Sequence, residues 1–337
     1  MEDPIVQVQD LRAEFATPEG AVRAVSGVSL NLRRGRTLVI TGESGSGKST
    51  VGLAILNLIP HPGRITTGQV LFKDRDLLAL PPEELRHVRG REIAMVFQDA
   101  STSLNPVLSI GQQVEEAITA HLDVDRGEAK RRTIDVLERM GLPDPAQIAR
   151  RYPFQLSGGM AQRVMIAIAT ALNPEVLVLD EPTSALDVTV QAAIIDDLLR
   201  LQREHNTSII LITHDLGLVA QVADDVAVMY AGQIAEYADV RTLFEGPRHP
   251  YTWSLLASRP RLDRDYRGPL TAIKGSPPSL IDLPDECPFL PRCHKATNAC
   301  RMQPAPPLLP IGRNGHLAAC YNPIYQEERQ RHVVGES

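Results

Sequence analysis

Four groups of residues in this chain have the types and spacing to do chemistry. Gly42-Glu43-Ser44-Gly45-Ser46-Gly47-Lys48-Ser49-Thr50 matches G-x-x-x-x-G-K-[ST], in which glycines let the backbone curl around phosphates and loop amides donate to their oxygens. Lys48 brings positive charge to the β and γ groups and Ser49 a hydroxyl for magnesium, so the motif implies a bound nucleoside triphosphate. Leu179-Asp180-Glu181 closes an apolar run with two acids. Asp180 is suited to hold magnesium through its water shell, and Glu181 to orient and polarise the water that attacks the γ-phosphate; the bland alternative is a solvated strand end. Gln98, after Ile93-Ala94-Met95-Val96-Phe97, reads either as a reach toward the metal or the attacking water, or as an ordinary polar strand terminus. His214, after Ile209 to Thr213, reads either as a donor to a γ-phosphate oxygen or as a structural histidine.

A further anion site is legible in Leu156-Ser157-Gly158-Gly159-Met160-Ala161-Gln162, where Ser157 caps a helix read over Arg163 to Leu172 and free amides face outward. One nucleotide needs one phosphate loop, so this second element calls for a separate explanation.

The elements that must position these groups follow from periodicity. Leu38-Val39-Ile40 reads as a buried strand entering the loop, and Thr50 to Ile59 as the helix leaving it. Val176 to Leu179 and Ile209 to Ile212 are continuous apolar runs of the kind parallel strands show when both faces are covered, with an amphipathic helix from Val188 to Gln202 between them. At the carboxyl edge of such a sheet, the loop, the acid pair, Gln98 and His214 are expected to face one nucleotide. Alternation in Ile5 to Val8 and Val28 to Leu32 makes the beginning β-rich. From Ser109 to Met140 the spacing turns helical through Val114, Ile118, Leu122, Ile134 and Leu137, with Gly141 as the stop. Beyond Glu245 prolines punctuate the chain, including Pro260, Pro269, Pro277, Pro278, Pro288, Pro291, Pro304, Pro306 and Pro307, which places a boundary near Pro247. Gln326 to Ser337 reads as a loose polar tail.

With 337 residues, 43% hydrophobic and 23% charged, the chain can build a large core plus an appendage, and disorder as a whole is excluded. A net charge of -6 supplies no basic field, so nucleic acid is not expected as a partner. No apolar run reaches the roughly 18 residues of a membrane span and no secretory signal opens the chain, so it is expected to be cytosolic.

All four cysteines, Cys287, Cys293, Cys300 and Cys320, fall near the end. In a reducing compartment this clustering favours metal over disulfides, but the C-x-x-C pairs of zinc ribbons are missing. A [4Fe-4S] cluster, zinc and four unliganded thiols all stay open on the residues alone.

Taken in order, Gly42 to Thr50, Gln98, Leu156-Ser157-Gly158-Gly159, Val176 to Pro182, Ser184-Ala185-Leu186-Asp187 and His214 resemble the motif set of ATP-binding cassette (ABC) ATPases over residues 1 to about 245. The resemblance implies an α/β fold: a P-loop NTPase core of mixed sheet and helices, a β-rich N-terminal subdomain, a helical insert over about 99–172 and a small Pro/Cys-rich extension. It also implies a head-to-tail dimer with ATP and Mg2+ sandwiched between two such domains. In that arrangement Ser157, Gly158 and Gly159 serve the partner's nucleotide and Asp187 contacts the partner. Ser49, Gln98 and Asp180 are the magnesium set, Glu181, His214 and Gln98 the catalytic set, and Phe15 the candidate to stack on adenine, with core packing as its alternative. Met160 departs from the glutamine usual in the family signature.

The remainder, 248–325, is similar to the carboxyl-terminal extension of oligopeptide and dipeptide import ATPases through Arg248-His249-Pro250-Tyr251-Thr252, Gly275-Ser276-Pro277-Pro278, Cys287-Pro288-Phe289 and Arg292-Cys293; Asp99 to Pro106 resembles the same subfamily's glutamine loop. This implies a cysteine-ligated [4Fe-4S] cluster, zinc being the other choice, while Tyr251 and Trp253 are read as packing the extension onto the main domain. The implied protein is the energy-coupling ATPase of a peptide importer at the cytoplasmic face of the membrane. Its implied partners are a homologous ATPase, two transmembrane permease subunits and an extracytoplasmic peptide-binding protein. Nickel, glutathione or another small solute as cargo, a soluble ABC ATPase of DNA repair or translation, and a redox module built on the cysteines are the competing readings. The acidic balance and lack of long heptads weigh against the soluble one.

Overall fold

The computed structural model describes residues 3–184, 186–258, 273–312 and 315–325. Ala185, Pro260, Pro269 and the tail from Gln326 to Ser337 lie outside the described residues. The chain divides into two compact units.

The first unit comprises Met1–Ile5, Leu32–Thr37 and Lys73–Ile212. Its sheet holds Ile93–Val96, Val176–Asp180 and Ser208–Ile212 in parallel, in register Ile93 with Val176 and Val176 with Ser208. Val176–Asp180 and Ser208–Ile212 are buried at every position, which is why their sequences run apolar rather than alternating. The helical stretch read from Ser109 to Met140 is two helices, Ile110–Thr119 and Arg126–Arg139. The break has a local cause. Asp125 leaves the helical region and accepts from the Glu128 amide, starting a new helix, while Ser109 and Gln112 form a capping box on the first. Gly141, at φ 62°, ends the second helix as its type allows. Ile110, Val114, Ile118, Ala129, Val136 and Leu137 are the buried apolar side chains of the two helices. Gly158–Thr170 and Val188–His205 follow, the latter ended by Asn206 in the left-handed region.

The second unit comprises Val6–Asn31, Leu38–Phe72 and Thr213–Ser337. Its β-rich beginning pairs Pro4–Thr17 antiparallel with Gly63–Phe72. The fully buried strand Thr37–Thr41 runs parallel to Asp225–Tyr230, which pairs antiparallel with Gln233–Asp239. The proline-rich extension continues that sheet: Leu317–Ala318 pairs with Tyr237 and Glu236, and Leu309–Pro310 adds beyond it. The helix after the phosphate loop is shorter than its apolar pattern, Lys48–Ile55 rather than to Ile59, because Asn57 turns left-handed at φ 50° ahead of Pro60.

Candidate active site

The phosphate loop joins strand to helix with Gly42 at φ 148° and Gly47 at φ 97°. A Cβ on Gly42 would lie 2.1 Å from the Met229 carbonyl oxygen, and one on Gly47 2.1 Å from that of Ala24, so neither position admits a side chain. The Gly232 amide donates to the Ser46 carbonyl at 3.0 Å and ties the loop to the turn after Asp225–Tyr230. Lys48 is buried, and its Nζ donates to the carbonyls of Gly42 at 2.9 Å and Glu43 at 2.8 Å, arching over the loop. Ser46 Oγ is buried without a hydrogen-bond partner, a polar atom inside the cradle that a phosphate oxygen would satisfy. The loop thus fits a triphosphate.

His214 is exposed, directly after Thr213, whose amide donates to Ile40 of the loop strand at 3.1 Å. This sets His214 level with the mouth of the loop. Phe15 is half-buried and pairs with Gly63, where an added Cβ would lie 2.5 Å from its ring. One face of the ring therefore packs on bare backbone.

In the first unit, Asp180 is the buried last residue of its strand. Glu181 follows in the left-handed region at φ 44°, held by its amide to the Ile212 carbonyl at 2.9 Å and reached by Gln98 Nε2 at 3.2 Å. A non-glycine residue in that conformation carries strain of about 1–3 kcal/mol, typical of functional turns. Ser157 caps Gly158–Thr170 by accepting from the Met160 amide, so Met160 serves the cap through its backbone. An added Cβ on Gly159 would lie 2.7 Å from Val190 Cγ1. Asp187 caps the helix carrying Val190, accepting from the amides of Thr189 and Val190. The serine-glycine turn and the Asp187 cap therefore form one packed piece, a link that their spacing does not reveal.

Sequence reasoning missed the residues that tie the extension to the loop. Arg292 forms a two-pronged ion pair with Glu43, Nη1 to Oε2 at 2.7 Å and Nη2 to Oε1 at 3.0 Å. Tyr251 is fully buried among Tyr230 and Phe289, as its reading as a packing residue implies, yet its Oη also accepts from the Glu43 amide at 2.8 Å. Burial pushes the Tyr251 hydroxyl well above the ordinary tyrosine range, so it stays protonated. Trp253 packs on His294. A second hub is Glu236, fully buried, which accepts from the amides of Arg248 and His249 and pairs with His316 Nε2 at 2.7 Å.

The four cysteines are free thiols that together line one small apolar cavity of about 20 Å³. Burial pushes the Cys287 thiol up to about 11 and Cys320 up to about 12, and raises Cys293 as well. Among the described residues no three His, Cys, Asp or Glu side chains form a group that could hold a metal ion, so neither a [4Fe-4S] cluster nor zinc is shown at the cysteines. The four thiols share one apolar cavity and equal in number the donors that a [4Fe-4S] cluster would use.

The comparisons agree with this geometry. The ABC transporter family model matches residues 25–184, and the model for the C-terminal region of oligopeptide/dipeptide transporters matches 235–300. A dimeric ATP-binding cassette, MJ0796, solved in a post-hydrolysis state with ADP and Pi, superposes with a TM-score of 0.64 at 29% identity, covering 70% of this chain and 99% of that one. Fold and site thus define an ABC-type ATPase. The Bacillus subtilis dipeptide transport ATP-binding protein DppD is 44% identical over 334 residues, 98% of both chains. The Salmonella typhimurium oligopeptide transport ATP-binding protein OppD is 47% identical over 320 residues, 95% of this chain and 94% of that one. The chain belongs to the oligopeptide/dipeptide branch of the ABC transporter ATPases. Among the described residues no helix is long and apolar enough to cross a membrane.

Proposed function

We propose that this protein is the ATP-hydrolysing, energy-coupling subunit of a peptide importer, working at the cytoplasmic face of the membrane. The observation that carries the reading is the pairing, on one chain, of an ABC core with the oligopeptide/dipeptide C-terminal region. Residues 1–247 act as the ATPase domain, with the helical subdomain over about 99–172, and 248–325 as the extension.

The loop amides and Lys48 bind the triphosphate and neutralise its charge. Ser49, Asp180 and Gln98 would hold Mg2+, which would supply positive charge to offset the charge developing on the phosphates. Glu181, steadied by Gln98, takes the proton of the attacking water, and His214 donates to the γ-phosphate. Ser157, Gly158, Gly159 and Asp187 complete the site of a second, homologous ATPase, so ATP closes the dimer and hydrolysis opens it. Phe15 stacks the adenine on its open face. Two membrane-spanning permeases receive the motion and an extracytoplasmic binding protein delivers the peptide. Cys287, Cys293, Cys300 and Cys320 hold a [4Fe-4S] cluster, a reading supported by four free thiols around one apolar cavity.

The test is uptake of labelled di- and oligopeptides by cells in which this gene alone is deleted. Loss of uptake, restored by the parent chain and not by Lys48→Ala, is the expected result. Unchanged peptide uptake with loss of another solute replaces the cargo.

A further inference from the structure

We propose that Arg292 and Tyr251 are positioning residues for the phosphate loop, acting through Glu43 to set nucleotide affinity. This rests on the reading that Gly42 to Thr50 holds ATP.

Glu43 is the second residue of the loop, and each of its polar groups is occupied. Its amide donates to Tyr251 Oη at 2.8 Å, its carbonyl accepts from Lys48 Nζ at 2.8 Å, and its carboxylate takes both prongs of Arg292. Two of these three restraints come from the extension, 208 and 249 residues further along the chain. The third comes from the phosphate-binding lysine. The loop entry is therefore fixed jointly by the residue that binds phosphate and by residues that no motif connects to it.

The seat of Arg292 is built for this task. Its side chain is 6% exposed and that of Glu43 23%. Nε donates to the Lys274 carbonyl at 2.9 Å and Nη1 also to Tyr230 Oη at 3.1 Å, so the guanidinium is held along its whole edge. Its Cζ lies 5.8 Å from the ring centroid of Tyr230 and 5.9 Å from that of Phe289, which pack with Tyr251 in one cluster. A planar fork with fixed donors positions a carboxylate; a lysine in its place supplies a point charge alone.

Two physical consequences bear on ATP. A bare carboxylate on the loop would repel a polyanion, and Arg292 cancels that charge in a poorly solvated place where it counts. The Glu43 amide, turned toward Tyr251, sets the direction in which the chain enters the curl, and hence where the following amides point. Both effects act on bound nucleotide and leave the attacking water untouched, so they belong to affinity. Because Cys293 follows Arg292 directly, the same turn joins the cysteine cavity to the loop.

The experiment measures binding of a fluorescent ATP analogue with Mg2+, and steady-state hydrolysis, on the purified full chain. Arg292→Ala is expected to weaken binding and raise KM about ten-fold, the scale of one charge-assisted bidentate pair, with kcat within about two-fold. Arg292→Lys recovers only part of the loss. The double variant Glu43→Gln/Arg292→Ala binds tighter than Arg292→Ala, since no carboxylate is left unpaired. Tyr251→Phe, which removes one oxygen, weakens binding about three-fold and carries the test if Arg292→Ala fails to fold. Affinity within two-fold of the parent in both Arg292→Lys and Tyr251→Phe overturns the inference, as does a double variant no better than Arg292→Ala. Lys48→Ala separates the two levels. Loss of binding there with unchanged Arg292 variants sinks only the positioning role, whereas a parent that binds no ATP sinks both.

Discussion

Gln98 Nε2 donates to Glu181 Oε2 at 3.2 Å, joining residues 83 apart in sequence at the carboxyl edge of adjacent parallel strands. Glu181 is also pinned by its backbone in a left-handed conformation, so its carboxylate is aimed from two sides.

Glu181→Gln should retain ATP and lower turnover at least about 100-fold, because the amide is not a base. Gln98→Ala should cost less, since it loosens the carboxylate without removing it. Single-turnover hydrolysis of radiolabelled ATP measures both; unchanged turnover in Glu181→Gln removes the assignment of the base.

Gly42→Ala and Gly47→Ala should each abolish nucleotide binding and destabilise the fold by more than about 2 kcal/mol, because the new methyl would meet a backbone oxygen at 2.1 Å in a φ range strained for alanine. Gly45, at φ 77° but with nothing within 4 Å of its added Cβ, should lose less with alanine, since it meets backbone strain without a clash. Thermal unfolding with and without Mg-ATP compares the three.

His249 is buried, and burial holds its pKa down to about 4 against the opposing pull of Glu236. Its Nδ1 accepts from the Tyr251 amide, a bond that protonation would break. A base depressed in the folded state binds its proton mainly when unfolded. Stability should therefore fall as pH drops from about 6.5 toward 4, by up to roughly 3 kcal/mol. Urea unfolding across that window tests the slope, and His249→Asn should flatten it.

Glu236→Ala would strand two buried amides and His316 together, and should cost about 3–5 kcal/mol. Limited proteolysis should then release the extension first. A variant cleaved no faster than the parent contradicts the hub role.

Anaerobically purified protein should carry iron and sulfide in nearly equal amounts, and each of Cys287→Ser, Cys293→Ser, Cys300→Ser and Cys320→Ser should lower both. Colourless, iron-free parent protein discards the cluster.

The phosphate loop, the Asp180-Glu181 pair and the serine-glycine turn were legible because each is a short-range device. A strand, a run of glycines and a helix start encode their conformation within ten residues, and buried parallel strands announce themselves as unbroken apolar runs such as Val176 to Leu179. The helical reading across Ser109 to Met140 missed its break, since periodicity persists through a gap that Asp125 creates by capping. The cysteines were legible as a cluster in sequence, while their sharing of one cavity was not.

Sequence alone determined which residues carry the phosphate chemistry, because those roles depend on side-chain type and local backbone. Only the tertiary structure decided that Arg292 and Tyr251 hold Glu43, that Gly159 lies against the helix Asp187 caps, and that the extension adds strands beside Glu236. Those pairings join distant segments. Their energy comes from burial and charge neutralisation on contact, which leaves no periodic trace along the chain.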